Sequence, residues 1–271
     1  MVTAMDHRPI GVFDSGLGGL TAVKKLMEVL PREDIVYLGD TGRVPYGSRS
    51  RETITKYAGQ DAAFLAGLGV KAIVIACNTA CSVALGAISA EYDMPVFGVV
   101  GPPAAEAVRL TSNKKIGIIG TVATVRSGAY VEALRMIAPD AEVWSAACPL
   151  FVPLVENGRA SAGDIVVRAV AGEYLAPLRE RGVDTLILGC THYPLLRGVI
   201  SEIMGPDVAI VDSGAVTAQR VARDLGEMDL LSGEGGRRRY FVTDSTEGFS
   251  ELASIFLGLS VGGSVEQVTL E

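Results

Sequence analysis

Aromatic residues make up only 6% of this chain, and histidine occurs twice. Gly, Ala and Val are plentiful instead, a mix that suits close packing of helices on sheets better than an aromatic-rich β-sandwich. There is no excess of basic residues: 24 Lys and Arg stand against 31 Asp and Glu, for a net charge of −7. Such a surface has no general attraction for nucleic acid, so no nucleic-acid partner is expected. The one basic cluster, Arg237-Arg238-Arg239, precedes apolar Tyr240-Phe241-Val242 and reads as a solvated strand entrance. No apolar run approaches the roughly 18 residues of a membrane span, and no membrane partner is expected. The N-terminus, Met1 to Pro9, lacks the basic-then-apolar build of a signal peptide. Four cysteines are too few and too scattered for a disulfide framework; they fit free thiols in a reducing cytoplasm. None is spaced with another Cys or His as a zinc site needs, so no metal is expected. The Asp14–Gly19 loop matches neither G-x-G-x-x-G nor a Walker loop, so nucleotide binding is weakly supported.

What is present is alternation. The 271 residues, 49% hydrophobic, allow one large domain or two α/β domains with a sizeable core. Ile10-Gly11-Val12-Phe13 is a short apolar strand, and Leu20, Val23, Leu26, Met27 and Leu30 then recur at helical spacing until Pro31. Ile35–Leu38 is a second strand, followed by the Gly39–Gly47 loop, a helix over 50–68, the strand before Cys77, its helix, and strand Val96–Val100. This is the pattern of a mainly parallel sheet with helices on both faces. In such sheets ligands bind at the carboxyl ends of the strands, where Asp14, the Tyr46 loop and Cys77 all fall.

After Gly101-Pro102-Pro103, which reads as a domain crossing, the design repeats. Lys115-Ile116-Gly117-Ile118-Ile119-Gly120-Thr121 mirrors Pro9 to Ser15, and Val183 to Cys190 mirrors Val70 to Cys77. The chain is therefore expected to be α/β, with two similar doubly wound domains related by internal pseudo-symmetry and a cleft between them. The expected division is 1–100 plus 213–271 for the first domain, completed by the C-terminal segment, and 101–212 for the second. Strands near 208–211 and 239–243 and helices over 215–230 and 247–257 finish the pattern; Gly258 to Glu271 is weakly specified.

Cys77 and Cys190 share one position: a strand end, then Asn78-Thr79 or Thr191-His192, then a helix. Either thiol alone is as easily a small buried core residue. At a helix N-terminus a thiol is expected to be stabilised as thiolate. Two such thiols facing one cleft suit a reaction in which one removes a proton from a tetrahedral carbon and the other returns one to the opposite face. The carbanion-like state would need stabilisation, and helix N-terminal amides with the hydroxyls of Ser15, Thr79, Thr121 and Thr191 are candidates to hold a carboxylate. His192 is either an orienting or proton-donating partner of Cys190 or a helix-start residue bonded to backbone. Asp14 is either a functional carboxylate or a helix N-cap; Asp212 reads as a cap, and Cys81 and Cys148 as packing residues.

The motifs Gly11 to Thr21, Gly39-Asp40-Thr41 through Pro45-Tyr46-Gly47, Ala76-Cys77-Asn78-Thr79-Ala80 and Gly189-Cys190-Thr191-His192-Tyr193-Pro194-Leu195-Leu196 together closely resemble the glutamate racemase family, within the aspartate/glutamate racemase superfamily. The match runs in order from about residue 9 to 257. It implies a cofactor-independent cytoplasmic enzyme, commonly a homodimer, that interconverts L- and D-glutamate and supplies D-glutamate for peptidoglycan, hence for cell-wall biogenesis and cell shape. Carried over by motif, Cys77 and Cys190 are the acid/base pair, with Asp14 and His192 assisting them respectively. Asp14, Ser15, Pro45, Tyr46, Gly47, Asn78, Thr79, Thr121, Thr191 and His192 are the expected substrate contacts. Glu156 resembles the family's further assisting carboxylate, against a solvated loop acid as the alternative. Gly42 stands where the family commonly has Ala, and Gly101-Pro102-Pro103 departs from its usual wording; neither removes a catalytic group.

The rival expectations are an aspartate or hydantoin racemase of the same superfamily, a decarboxylase of this fold, and a non-catalytic amino-acid-binding relative. A decarboxylase needs only one proton-donating thiol, so the second Cys argues against it.

Overall fold

Short runs of β-branched residues ending in glycine or a polar residue become parallel strands, and the amphipathic stretches between them become helices. The computed structural model describes residues 6–258 and 265–270. In chain order the first part comprises β1 (Ile10–Asp14), α1 (Leu20–Val29), β2 (Ile35–Gly39), α2 (Arg51–Gly67), β3 (Ala72–Ile75), α3 (Asn78–Glu91), β4 (Val96–Gly98) and α4 (Gly101–Leu110). The second run is β5 (Lys115–Gly120), α5 (Val122–Ser127), α6 (Ala129–Ile137), β6 (Glu142–Ala147), α7 (Phe151–Glu156), α8 (Ile165–Glu180), β7 (Thr185–Gly189), α9 (Arg197–Met204) and β8 (Ala209–Asp212). Then follow α10 (Ser213–Glu227), β9 (Arg238–Val242), α11 (Phe249–Leu257) and β10 (Val265–Gln267).

Among the described residues, one sheet has the order β10-β9-β2-β1-β3-β4 and the other β6-β5-β7-β8. All their pairings are parallel. Inside the larger sheet the order β2-β1-β3-β4 repeats the order β6-β5-β7-β8 of the smaller, so the two similar sequence stretches occupy equivalent central places. Ile10 pairs with Ala72 and Phe13 with Ile75 in one sheet, as Ile116 pairs with Thr185 and Gly120 with Gly189 in the other.

Side-chain alternation sends Ile10 and Val12 into one apolar core with Leu20, Val23 and Leu26 of α1. It sends Phe13 and Ile73 into another with Ile54, Ala58 and Leu65 of α2. Both cores run on into the smaller sheet, through Leu186 and Leu188 in the first and Ile116 and Ile118 in the second. Burial on both faces explains why the central strands are continuous apolar runs.

Three elements differ from the sequence expectation. Gly101-Pro102-Pro103 opens α4 rather than a loop crossing, because proline in a first turn lacks only an N–H that would be unpaired there. Strand β6 has a mixed composition and a half-buried pattern at the edge of its sheet, so no apolar run announces it. The stretch from Gly258 onward contains β10, three residues held by pairing with β9 rather than by local preference.

Helix starts follow their caps. Ser50 accepts from Thr53 N at 3.3 Å to begin α2, and Asp212 accepts from Ala215 N at 3.0 Å to begin α10, the cap role expected of it. Asp14 is not the cap of α1; Gly19 takes that place with no side-chain bond.

Candidate active site

Strand β3 ends two residues before Cys77, which is the N-cap of α3. Its sulfur accepts from Ala80 N and donates to Ser15 Oγ, each at 3.5 Å. Burial, reinforced by the Asp14 carboxylate, pushes this thiol up to about 12. The thiolate expected from the helix N-terminus is thus not the resting form of Cys77: desolvation outweighs the two hydrogen bonds. Asp14 closes β1 and is itself buried, which raises its carboxyl above the usual range. Its Oδ2 accepts from Gly16 N at 3.0 Å, while Oδ1 has no hydrogen-bond partner among the described residues.

Cys190 follows β7 in the equivalent place, and its surroundings differ in charge. His192 Nδ1 lies 3.9 Å from the Cys190 sulfur and 3.3 Å from Thr191 Oγ1, and Nε2 lies 3.0 Å from Glu156 Oε1. Burial alone would lower the imidazole; contact with Cys190 and with Glu156 overrides it and lifts His192 to about 10. His192 is therefore an imidazolium at neutral pH, with both N–H groups directed at acceptors. Phe256 of α11 meets the ring edge-on at a centroid distance of 5.1 Å. Gly18 supports the other side: a Cβ there would come within 2.4 Å of His192 Cε1 and of Thr191 Oγ1. Only a residue without a side chain fits that contact.

Both sulfurs line one cavity of about 390 Å³. Its wall draws on the segments that follow strands of both sheets: Ser15, Pro45 to Gly47 and Cys77 to Thr79 from the larger, Thr121 and Cys190 to His192 from the smaller, with Glu156 from the end of α7. The sheets meet directly beside it. Thr79 Oγ1 is 2.9 Å from Thr121 Oγ1, Thr21 Oγ1 donates to Thr191 O at 2.9 Å, and Asn78 Nδ2 donates to Ser213 Oγ at 3.3 Å.

The model of the Asp/Glu/hydantoin racemase family matches residues 18–221. The chain belongs to that family. Glutamate racemase of Geobacter metallireducens is 48% identical over 269 residues, covering 98% of each sequence. The crystal structure of a glutamate racemase isoform from Bacillus anthracis superposes with a TM-score of 0.93 at 39% identity, over 98% of each chain. That of Francisella tularensis glutamate racemase in complex with D-glutamate gives 0.90 at 39% identity, again over 98% of each.

In this racemase-family chain, every residue expected to be catalytic or to contact substrate borders the cavity except Asp14, which is buried and bonded to Gly16 N. Tyr46 borders it too, while its side chain is buried and its hydroxyl is engaged by Asp40 and Asp61. Sequence reasoning missed an apolar wall made by Val122, Val152 and Pro153, and it took Cys148 for packing alone, although that residue also lines the cavity. Cys148 directly follows β6, the counterpart of β2, so the repeat was the available signal. Nothing in the local composition of the wall residues marks them.

Proposed function

We propose that the chain interconverts L- and D-glutamate by moving protons on and off Cα with two thiols. The observation that carries this reading is the paired placement of Cys77 and Cys190, at matching strand ends of two sheets, on one cavity. In one direction Cys77, after giving up its proton, takes the Cα hydrogen, and the Cys190 thiol delivers a proton to the opposite face. In the other direction the roles exchange. Asp14, whose Oδ1 has no partner among the described residues, is suited to receive the Cys77 proton, and the His192 imidazolium, held by Glu156, is suited to replenish Cys190. The hydroxyls of Ser15, Thr79, Thr121 and Thr191, Asn78, and the backbone of Pro45, Tyr46 and Gly47 are the proposed substrate contacts.

D-Glutamate made this way would serve peptidoglycan synthesis. Strand membership supports a division into 1–100 plus 213–271 and 101–212. The family resemblance supports a cytoplasmic homodimer, which sedimentation and cell fractionation would test.

Incubation of L-glutamate in D2O, with no pyridoxal phosphate added, should yield D-glutamate carrying deuterium at Cα. Aspartate under the same conditions should turn over far more slowly. Racemisation without isotope uptake would sink the two-thiol route, and a preference for aspartate would sink the substrate assignment. A second result follows from the packing at Gly18. Gly18→Ala must push His192 away from Cys190, and a misplacement of that size costs roughly ten- to a hundredfold in kcat. Melting should change little; an unaltered kcat would separate His192 from the chemistry.

A further inference from the structure

The Gly39–Gly47 loop carries a buried polar cluster that the proton transfers do not use. Asp40 and Asp61 are 0% exposed and Tyr46 is 1% exposed. Asp40 uses both oxygens as acceptors: Oδ1 receives Thr243 Oγ1 at 2.8 Å and Arg43 Nε at 2.9 Å, and Oδ2 receives Arg43 Nε at 2.7 Å and the Tyr46 hydroxyl. Asp61, on α2, receives Arg43 Nη2 on Oδ1 at 3.0 Å, while its Oδ2 lies 3.0 Å from the Tyr46 hydroxyl oxygen. Gln60 takes the remaining arm of Arg43 at 2.5 Å, and the guanidinium lies 4.2 Å from the centroid of the Tyr57 ring.

A count of hydrogens decides the state of this cluster. Tyr46 has one hydroxyl hydrogen and two carboxyl neighbours. If it donates to Asp40, the contact with Asp61 is satisfied only when Asp61 Oδ2 carries a proton and donates to the tyrosine oxygen. Charge points the same way, since two ionised carboxylates against one guanidinium would leave an uncompensated buried charge. Burial and the neighbouring Asp40 carboxylate push the Asp61 carboxyl well above the usual carboxylate range.

We propose that Asp61 is a positioning residue: its protonated carboxyl donates to Tyr46, Tyr46 donates to Asp40, and this chain holds the Pro45–Gly47 segment against the cavity. The segment has little slack, because a Cβ at Gly47 would lie 3.0 Å from Thr121 Cβ across the cleft. Asp61 touches no substrate in this scheme; it acts through Tyr46. The proposal rests on the reading of the cavity as the glutamate site.

A carboxamide reproduces a protonated carboxyl, one acceptor and one donor, but not an acceptor-only carboxylate. Asp61→Asn should therefore keep KM and kcat within about twofold of wild type, while Asp40→Asn, which places a donor against Arg43, Thr243 or Tyr46, should raise KM about tenfold with a smaller change in kcat. Asp61→Ala should raise KM similarly, and Asp61→Asn should restore it. Thermal melting should rank the variants alike, with Asp61→Asn at the wild-type midpoint and Asp40→Asn below it. Impairment of Asp61→Asn equal to that of Asp40→Asn would overturn the shared proton, and a wild-type KM in Asp61→Ala would overturn the positioning role. Wild type inactive on glutamate would instead refute the active-site reading, and the melting order would still decide the proton.

Discussion

Cys77→Ala and Cys190→Ala should each abolish net racemisation in both directions, lowering it by at least about a thousandfold. The two thiols are not redundant, because inversion at carbon needs a proton removed on one face and returned on the other. The fold should survive: each sulfur is small and buried, and its hydrogen bonds are long ones of 3.5 Å or more. Circular dichroism and melting close to wild type would verify this. The more telling readout is exchange without inversion. With Cys190 removed, Cys77 can still take and return the Cα proton on its own face, so deuterium should enter one enantiomer without forming the other. With Cys77 removed, the opposite enantiomer should exchange. A variant that still racemises, or both variants exchanging the same enantiomer, would refute the assignment of one thiol to each face.

His192→Asn should cost about a hundredfold or more in kcat, the usual range for a lost proton-transfer partner. The wild-type pH profile should carry the same signature. His192 is raised to about 10 against an ordinary value of 6.5, so it stays charged across the neutral range. Activity that depends on the imidazolium should fall as pH rises through about 10. The sign for stability is the same: a raised folded value makes the contribution complete below about 6.5 and lost as pH climbs through about 10. Glu156→Gln removes one of the contacts that lift His192, so the alkaline limb should move to lower pH while the enzyme remains folded. An alkaline limb unmoved in Glu156→Gln and still present in His192→Asn would assign it to another group.

The two halves of this site were legible to different degrees. The strand ends at Cys77 and Cys190 stand out because each closes an apolar run buried on both faces, and burial of that kind leaves a continuous mark. Their flanking motifs named the loop residues as well. Asp61 left no mark, being an acid inside an ordinary helix whose partners Asp40, Arg43 and Tyr46 lie on another element. Cys148 and the apolar wall of the cavity are silent for the same reason, since a cavity wall is defined by what it faces. The edge strands β6 and β10 were hidden because their pairing partners, rather than their composition, hold them extended.

The charge states separate the contributions most sharply. Residue order determined that two thiols would follow two equivalent strands, that a carboxylate would close β1, and that a histidine would stand two residues after Cys190. Their matching places after equivalent strands would by themselves have made both sulfurs alike, although only Cys77 caps a helix. Tertiary structure made them unlike: burial, with Asp14 alongside, holds the proton on Cys77, whereas Cys190 stands beside an imidazole kept charged by its contacts with Cys190 and Glu156. Burial and neighbouring charge come from contacts between distant segments. That is why the pairing of the thiols was written in the chain, and the groups that stand beside each were decided only by the fold.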